Sequence, residues 1–422
     1  MSTKPVWVWL PGSGAPVRAG DFSITERVGS FSYDPAYRAQ VNALPLDPHN
    51  LPFTRSQRPI RETKQEGLFG VFRDATPEGF GLDLLEHTSG RNLADPLDRL
   101  EASVGDGVGA IAVCDDIDRK LRWQAPTSAD LIQALAAVKP EQSSTSAARE
   151  VMKVDGTSLG GERPKLTVMH EGQLWIAKLQ LRGDPPHAPL REYAAMQSAR
   201  AAGLDVAETQ FVQAGSRQVL LVRRFDRHIT PSGAFCRSLY ASAHTVLALN
   251  SSETRGDRNR SYVALAIELR RWSGRAGKKE EALEQQRELF RRMAFNAVCG
   301  NGDDHPRNHG LIHSDGGWQL SPAFDIAPYI SFSRTLAMAV NKAGQSEARA
   351  ELLLADCESF GYARGDALAF IRHAIEATQQ AWPQAVASAG VAPKDLPAVD
   401  PVWLEIGNAT AEAPRSARRW VR

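Results

Sequence analysis

The sequence predicts an α+β chain, with a mixed, sheet-bearing N-terminal portion and a mostly helical C-terminal portion. Three observations carry that assignment. β-rich runs punctuated by Gly and Pro recur as far as Arg227, helical periodicity dominates from Ser261 onward, and 42% apolar composition over 422 residues is ample for a large core in two or three domains. The expected division is a small mixed subdomain at 1–150, a β-rich part with a glycine loop and a hinge strand at 151–230, and a mostly helical lobe at 231–422. No fixed-period repeat interrupts this order.

Composition narrows the class of partner. Fifty basic against 49 acidic residues give a formal charge of +1, which argues against coating nucleic acid or membrane by bulk charge while leaving room for a local basic patch. Cys114, Cys236, Cys299 and Cys357 are far apart, with no CxxC pair, and are expected as reduced, mostly buried thiols. The N-terminal apolar run is short and broken by Pro11, and no segment approaches the roughly 18 apolar residues of a membrane span, so a cytoplasmic protein is expected.

In the N-terminal portion, Val6 to Leu10 is β-rich, and Asp21 to Tyr33 places Phe22, Ile24, Val28, Phe31 and Tyr33 in short strand-like runs joined at Gly29. Thr76-Pro77-Glu78 predicts a helix start, with proline at the first helical position and acid in the first turn. The run ASVGDGVGAIAV at 102–113 is a glycine-rich turn; lacking a Lys-Ser/Thr end and opening into a strand, it is read as structural rather than as a phosphate loop. A helix is expected from about Ser128 to Val138, with the domain junction in the polar run PEQSSTSAARE that follows.

Beyond the junction, the runs 165–169 and 174–179 flank Glu171-Gly172 as a hairpin. The loop in front of it, Thr157 to Gly161, is small and glycine-bearing, as a backbone closing over phosphates must be. Lys178 lies in the apolar strand WIAKL behind that loop and is read as a point charge on nucleotide phosphates rather than a solvent-facing lysine. The next helix, about Leu190 to Ala202, stops at Gly203, and its Glu192 either pairs with Lys178 or complements the helix dipole. The run from Gln218 to Arg227 suits a hinge strand between two lobes, with backbone near Arg223 and Phe225 open to an adenine and Asp226 near the ribose. Leu289, Phe290, Met293, Ala294, Ala297 and Val298 keep helical period up to Gly300. The remaining C-terminal runs, with LAMAVNK at 336–342, are read as scaffold.

That last periodic helix opens into NGDDHPRNHGLIHSDGGWQLSPAFD at 301–325, dense in carboxylates, amides and histidine. Asp303 precedes Asn308 by five positions, and Asp325 ends a later apolar run. A base, an amide ligand and a carboxylate ligand in that order match the kinase arrangement, in which the first Asp takes the hydroxyl proton and the other two hold magnesium. One carboxylate and one amide suffice, because magnesium keeps waters and substrate phosphates in its shell. The spacing selects Asp303 over Asp304, whose replacement is expected to matter much less. The bland alternative is a loop whose Asn, Asp and Gly merely cap turns.

TPEGFG at 76–81, GVGAIAV at 107–113, SLGGERPK at 158–165, WIAKL at 175–179, VRRFDR at 222–227, NGDDHPRN at 301–308 and LSPAFDIAPY at 320–329 together resemble the HipA-type serine/threonine kinases, toxin halves of bacterial toxin–antitoxin pairs. The resemblance spans nearly the whole chain. It implies a two-lobed, protein-kinase-like fold that uses ATP and Mg2+, with Asp303 as base, Asn308 and Asp325 on the metal, and Lys178 on the phosphates. It also implies a nucleotide site drawing on Ser158, Gly160, Gly161, Lys165, Arg223, Phe225, Asp226 and His305, with Ser158 autophosphorylated to silence the enzyme. By family, the target is a translation component such as an aminoacyl-tRNA synthetase. The partner is a small helix-turn-helix antitoxin of HipB type, which makes most of the contact with operator DNA. Two departures are local: Arg223 stands where the family often has an acidic residue, and AVNKAG where it has an INGK-like run. From the residues alone, an aminoglycoside-kinase-like phosphotransferase and a catalytically silent repressor subunit remain open.

Overall fold

A computed structural model of the chain describes residues 3–56, 58–137, 159, 165–180, 184–215, 217–229, 233, 235–250, 257–274, 279–314, 316–328 and 334–409. Its first sheet forms because β1 (Thr3–Trp9), β2 (Pro16–Thr25) and β3 (Val28–Tyr33) alternate, so that Val6, Val8, Phe22 and Phe31 all turn inward and are fully buried. β4 (Ile60–Glu62) and β5 (Ile111–Val113) complete the antiparallel order β4-β3-β2-β1-β5. Phe22 meets the rings of Phe69 and Phe72 at 5.8 and 4.8 Å, which fastens the short helix Gly70–Asp74 to the sheet. Gly29 permits this approach, since a Cβ there would lie 1.9 Å from the Gly67 carbonyl oxygen.

The helix expected at Thr76 begins later, spanning Phe80–Ser89 after Gly79 at φ +53°. Thr76 Oγ1 instead donates to the Phe72 carbonyl at 2.9 Å, closing the preceding helix and leaving Pro77 and Glu78 in the turn between the two.

The second sheet joins β6 (Lys165–His170), β7 (Gln173–Leu179), β8 (Thr209–Ala214) and β9 (Arg217–Arg223) in the antiparallel order β6-β7-β9-β8. Its first hairpin turns at Glu171 and Gly172, at φ +49° and +73°. Leu166, Val168, Ala177 and Leu221 on one face pack with Leu131 and Leu135 of the helix Ser128–Ala137 and with Phe80 and Leu84. A helix that the sequence places in the first subdomain is thus packed on the second sheet. The helix Ala188–Ala201 carries Leu190 and Ala194 into the main core with Leu220 and Val222 of β9, and the long helix Arg364–Ser388 packs against it from the C-terminal portion.

Small strands follow the hinge: β10 (Arg227–Ile229) pairs with β11 (Phe235–Arg237), and β12 (Tyr240–Ser242), β13 (Gly310–Ser314) and β14 (Gly317–Leu320) form a third sheet. The helices Tyr262–Ser273 and Lys279–Cys299 pack beside it. In the run 336–342, Ala339 bridges Ser261 and buries Met338 and Val340, serving as scaffold without being helical. The mixed N-terminal sheets and helical C-terminal portion match the predicted α+β class. All four cysteines are free and buried, as expected. Among the described residues no helix is long and apolar enough to cross a membrane.

Phe22→Ala removes the ring at the centre of the first aromatic cluster. It is expected to lower unfolding free energy by about 3–5 kcal/mol, measured as a shift of the urea midpoint at unchanged slope.

Candidate active site

Lys178 is delivered by β7, where the register sets it opposite Lys165 on one side and Leu220 on the other. Its ammonium donates to Glu192 Oε1 at 2.5 Å and to Asp325 Oδ1 at 2.7 Å, so Glu192 pairs with Lys178 rather than serving the helix dipole alone. Burial would depress the ammonium, but the Asp325 and Glu192 carboxylates outweigh it and hold its pKa above the ordinary value. Burial raises Glu192. Against the same burial, Lys178, then Lys165 and His305, hold Asp325 well below the usual carboxylate range. Asp325 itself sits at φ +58°, a left-handed conformation that strains most side chains and that Asp tolerates better than most.

The second group comes from the end of the helix Lys279–Cys299. Gly300, at φ +73°, turns the chain, and Asn301 Nδ2 donates to Asn296 Oδ1 at 3.0 Å while Asn301 Oδ1 accepts from the Asp303 N–H at 3.3 Å. Asn308 Nδ2 donates to the Asp303 carbonyl at 2.8 Å, fixing the two candidate residues across the loop. Asn308, Asp325 and Phe324 line one cavity with Asp304 and Asn296. His305 Nε2 lies 3.9 Å from Asp303 Oδ1.

The adjacent carboxylates are divided by burial. The Asp303 side chain is 61% exposed, whereas Asp304 is 1% exposed and accepts from the Tyr262 hydroxyl and the Ala337 N–H, both at 2.5 Å. Tyr262 in turn accepts from Asn296 Nδ2 at 3.0 Å and lies 3.2 Å from His309 Nε2. Burial, then the Arg292 charge, hold His309 down to about 3, so that ring stays neutral. Asp304 thus anchors the loop from beneath, a structural role that the five-residue spacing to Asn308 does not reveal.

The hinge differs from its sequence reading. The Arg223 N–H is already bonded to the Glu208 carbonyl at 2.8 Å, and its guanidinium pairs with Glu208 at 3.0 Å, so its backbone N–H is not open to an adenine. Asp226 is buried, and its carboxylate accepts from Arg224, Arg227 and the Gly109 N–H, at 2.8–2.9 Å, which contradicts a ribose contact. The Arg224 and Arg227 guanidinium groups continue to the carbonyls of Asp106, Gly107 and Gly109. The glycine-rich turn presents carbonyls to cations, the opposite polarity to a phosphate loop. The paired arginines flanking Asp226 in VRRFDR were the available signal for this hub. Phe225 packs at 5.4 Å from Phe324, beside Asp325. Ser158, Gly160 and Gly161 lie outside the described residues.

Comparison with known families sets this geometry in context. Residues 157–382 match the HipA-like C-terminal domain, and residues 8–114 the HipA N-terminal domain. The chain belongs to the HipA family. It is similar to the serine/threonine-protein kinase toxin HipA of Shewanella oneidensis, at 24% identity over 349 residues, 76% of each chain. A candidate kinase of Sinorhizobium fredii is 24% identical over 418 residues, 92% of each; another from that species is 31% identical over 236 residues, spanning 49% of this chain and 53% of the relative. The solved Shewanella oneidensis HipA, in complex with HipB and its operator DNA, superposes over 93% of each chain with a TM-score of 0.63 at 20% identity. The chain is thus a HipA-like kinase of the toxin–antitoxin type, and ATP is the nucleotide that a kinase of this family implies.

Two outcomes follow from the buried carboxylates. Asp304→Ala is expected to cost about 3 kcal/mol or more in stability, because it strips partners from a buried hydroxyl and a buried N–H, and calorimetry reads the loss. Asp226 is held below the ordinary carboxylate pKa by its arginines, which outweigh the opposing effect of burial, so its contribution is complete above that value and lost as the pH falls towards the folded one. The stability gap between wild type and Asp226→Asn should stay constant from about pH 8 to pH 5 and shrink only below about pH 4.

Proposed function

We propose that this HipA-family chain is an ATP- and magnesium-dependent serine/threonine protein kinase that acts as a growth-arresting toxin. The observation that carries the reading is the Lys178 ammonium held between Glu192 and Asp325, because it ties the nucleotide strand, its helix and the metal-binding Asp into one charge cluster. Lys178, with Lys165 beside it, binds the nucleotide phosphates. The exposed Asp303 carboxylate accepts the proton of the acceptor hydroxyl.

The donor set suits magnesium. Among the described residues no group of three or more His, Cys, Asp or Glu side chains forms an all-protein cage, and one carboxylate with one amide fits an ion that keeps water and phosphate ligands. Asn308 has its Nδ2 fixed on the Asp303 carbonyl, and among the described residues no donor reaches its Oδ1, the atom a metal would take. Asp325 supplies the oxygen that Lys178 does not hold. When bound, magnesium neutralises charge on the transferring phosphoryl group. Phe225, beside Phe324, supplies apolar surface near the nucleotide, His305 stands beside Asp303, and Asp226, its oxygens already taken, has no part in binding.

By likeness to its Shewanella relative, solved with HipB and operator DNA, the partner is a HipB-like protein; in the same proposal that partner is a helix-turn-helix protein that makes most of the contact with the DNA. The acceptor is a cytoplasmic translation component such as an aminoacyl-tRNA synthetase, and Ser158, in its glycine-flanked loop, takes phosphate from the enzyme's own ATP.

Asp303→Asn and Asp325→Asn should each reduce transfer from radiolabelled ATP at least roughly tenfold at saturating magnesium. Lys178→Gln should raise the KM for ATP. Overproduction should arrest growth only when Asp303 is intact; equal arrest by Asp303→Asn would assign toxicity to binding and favour the repressor reading. Phosphate on Ser158 in both the wild type and Asp303→Asn, or in neither, would sink self-modification.

A further inference from the structure

Arg307 lies four residues after Asp303 and one before Asn308, in the short helical turn Pro306–Asn308. Its side chain is 46% exposed, yet its NH1 group is paired with Glu78, a carboxylate from a sequence-distant part of the fold. Glu78 stands in the turn between the helices Gly70–Asp74 and Phe80–Ser89, projected there by Pro77 before it and Gly79 in a positive-φ conformation after it. Behind the pair, Arg73 is 7% exposed and donates to His244 Nδ1 at 2.7 Å and approaches Thr245 Oγ1 at 3.5 Å. Burial, then the Arg73 charge itself, hold His244 down to about 4, so its ring is neutral and accepts. The nearby carboxylates have other partners: Asp74 accepts from the Ser242 N–H and hydroxyl, and Glu62 from the Lys64 N–H. Glu78 is therefore the carboxylate that answers Arg307.

We propose that Arg307 is a specificity-determining residue that binds an acidic side chain flanking the acceptor hydroxyl, and that Glu78 occupies the same position until the acceptor displaces it. Position and energy both support this. A chain that presents its hydroxyl to Asp303 must pass the loop that carries Arg307, so a residue within about three positions of the acceptor reaches it at roughly 3.3 Å per residue. An ion pair this exposed is worth too little to lock the arginine, and exchange of one carboxylate for another nearly conserves charge. The sequence-distant origin of Glu78 makes the displacement a readout: acceptor binding separates the Glu78 turn from the catalytic loop.

The inference rests on the protein-kinase reading. Full-length wild type, Glu78→Gln and Arg307→Glu, with Asp303→Asn as the blank, are incubated with labelled ATP and the intact proteins of a phosphatase-treated bacterial lysate, and the modified sites are mapped. The expected sites carry Asp or Glu within about three residues of the phosphorylated hydroxyl. Glu78→Gln should raise kcat/KM on them about threefold, and Arg307→Glu should lower it about tenfold. Replacing that acidic residue of the acceptor with Lys should restore transfer by Arg307→Glu, which a misfolded variant could not do. Sites without acidic neighbours, or a site labelled equally by wild type and Arg307→Glu, would make the Glu78 pair a structural strap and overturn the proposal. No label above the blank with wild type would instead remove the kinase reading itself.

Discussion

A half-buried cation held between two carboxylates organises the centre of this protein. Lys178 belongs to a strand, Glu192 to the helix packed behind it, and Asp325 to the segment that follows the third sheet, so one ammonium joins three elements distant in sequence. Removing any one partner would leave a charge in a poorly solvated place, which is far costlier than the loss of a surface pair. The cluster contains two carboxylates to one ammonium, with Lys165 contributing positive charge from its edge.

The position of the cluster relative to the N-terminal portion depends on a second ionic hub. Beyond the end of β9, Arg224 and Arg227 grip carbonyls of the turn at 106–109 and Asp226 accepts from its Gly109 N–H, while Arg237 donates to the Gly105 carbonyl and lies 3.5 Å over the Trp9 ring. Thr167 on β6 donates to Asp106, so the same turn touches both ends of the second sheet's hairpin path. The segment after β9 cannot shift without repacking a buried network, and such networks change in discrete steps rather than by drift. The N-terminal sheet is thereby coupled to the hinge by directional bonds.

Much of this was legible in the sequence because it depends on local rules. β-rich composition announced β1 and short strand-like runs β2 and β3, the Glu171-Gly172 turn announced the β6–β7 hairpin, and helical period up to Gly300 announced the support beneath Asp303. The pairing of Lys178 with Glu192 stood as one of two alternatives, since a helix register alone cannot say which charge a side chain meets. What the sequence hid was set by long-range contact. The helix Ser128–Ala137 precedes its sheet in the chain but shares its core, and Asp226 had the right chemistry for a ribose until two neighbouring arginines and the Gly109 N–H took its oxygens. The start of the helix at Thr76 failed for a local reason: its hydroxyl closes the preceding helix, and Gly79 resets the backbone before Phe80.

The doubled aspartate illustrates how one loop separates chemistry from support. Two adjacent carboxylates would repel if they faced the same way, and an exposed pair would leave the loop without an anchor. Here the backbone turns them apart. Asp304 goes inward to Tyr262 and the Ala337 N–H, joining the helix Tyr262–Ser273 to the segment that bridges Ser261 through Ala339, while Asp303 goes outward with its carbonyl fixed by Asn308. The Asp303 carboxylate therefore projects from a backbone held on both sides by bonds it does not itself make. Arg307, one residue before Asn308, sits on the same anchored loop, so in the proposed exchange of carboxylates the motion would fall on the Glu78 turn.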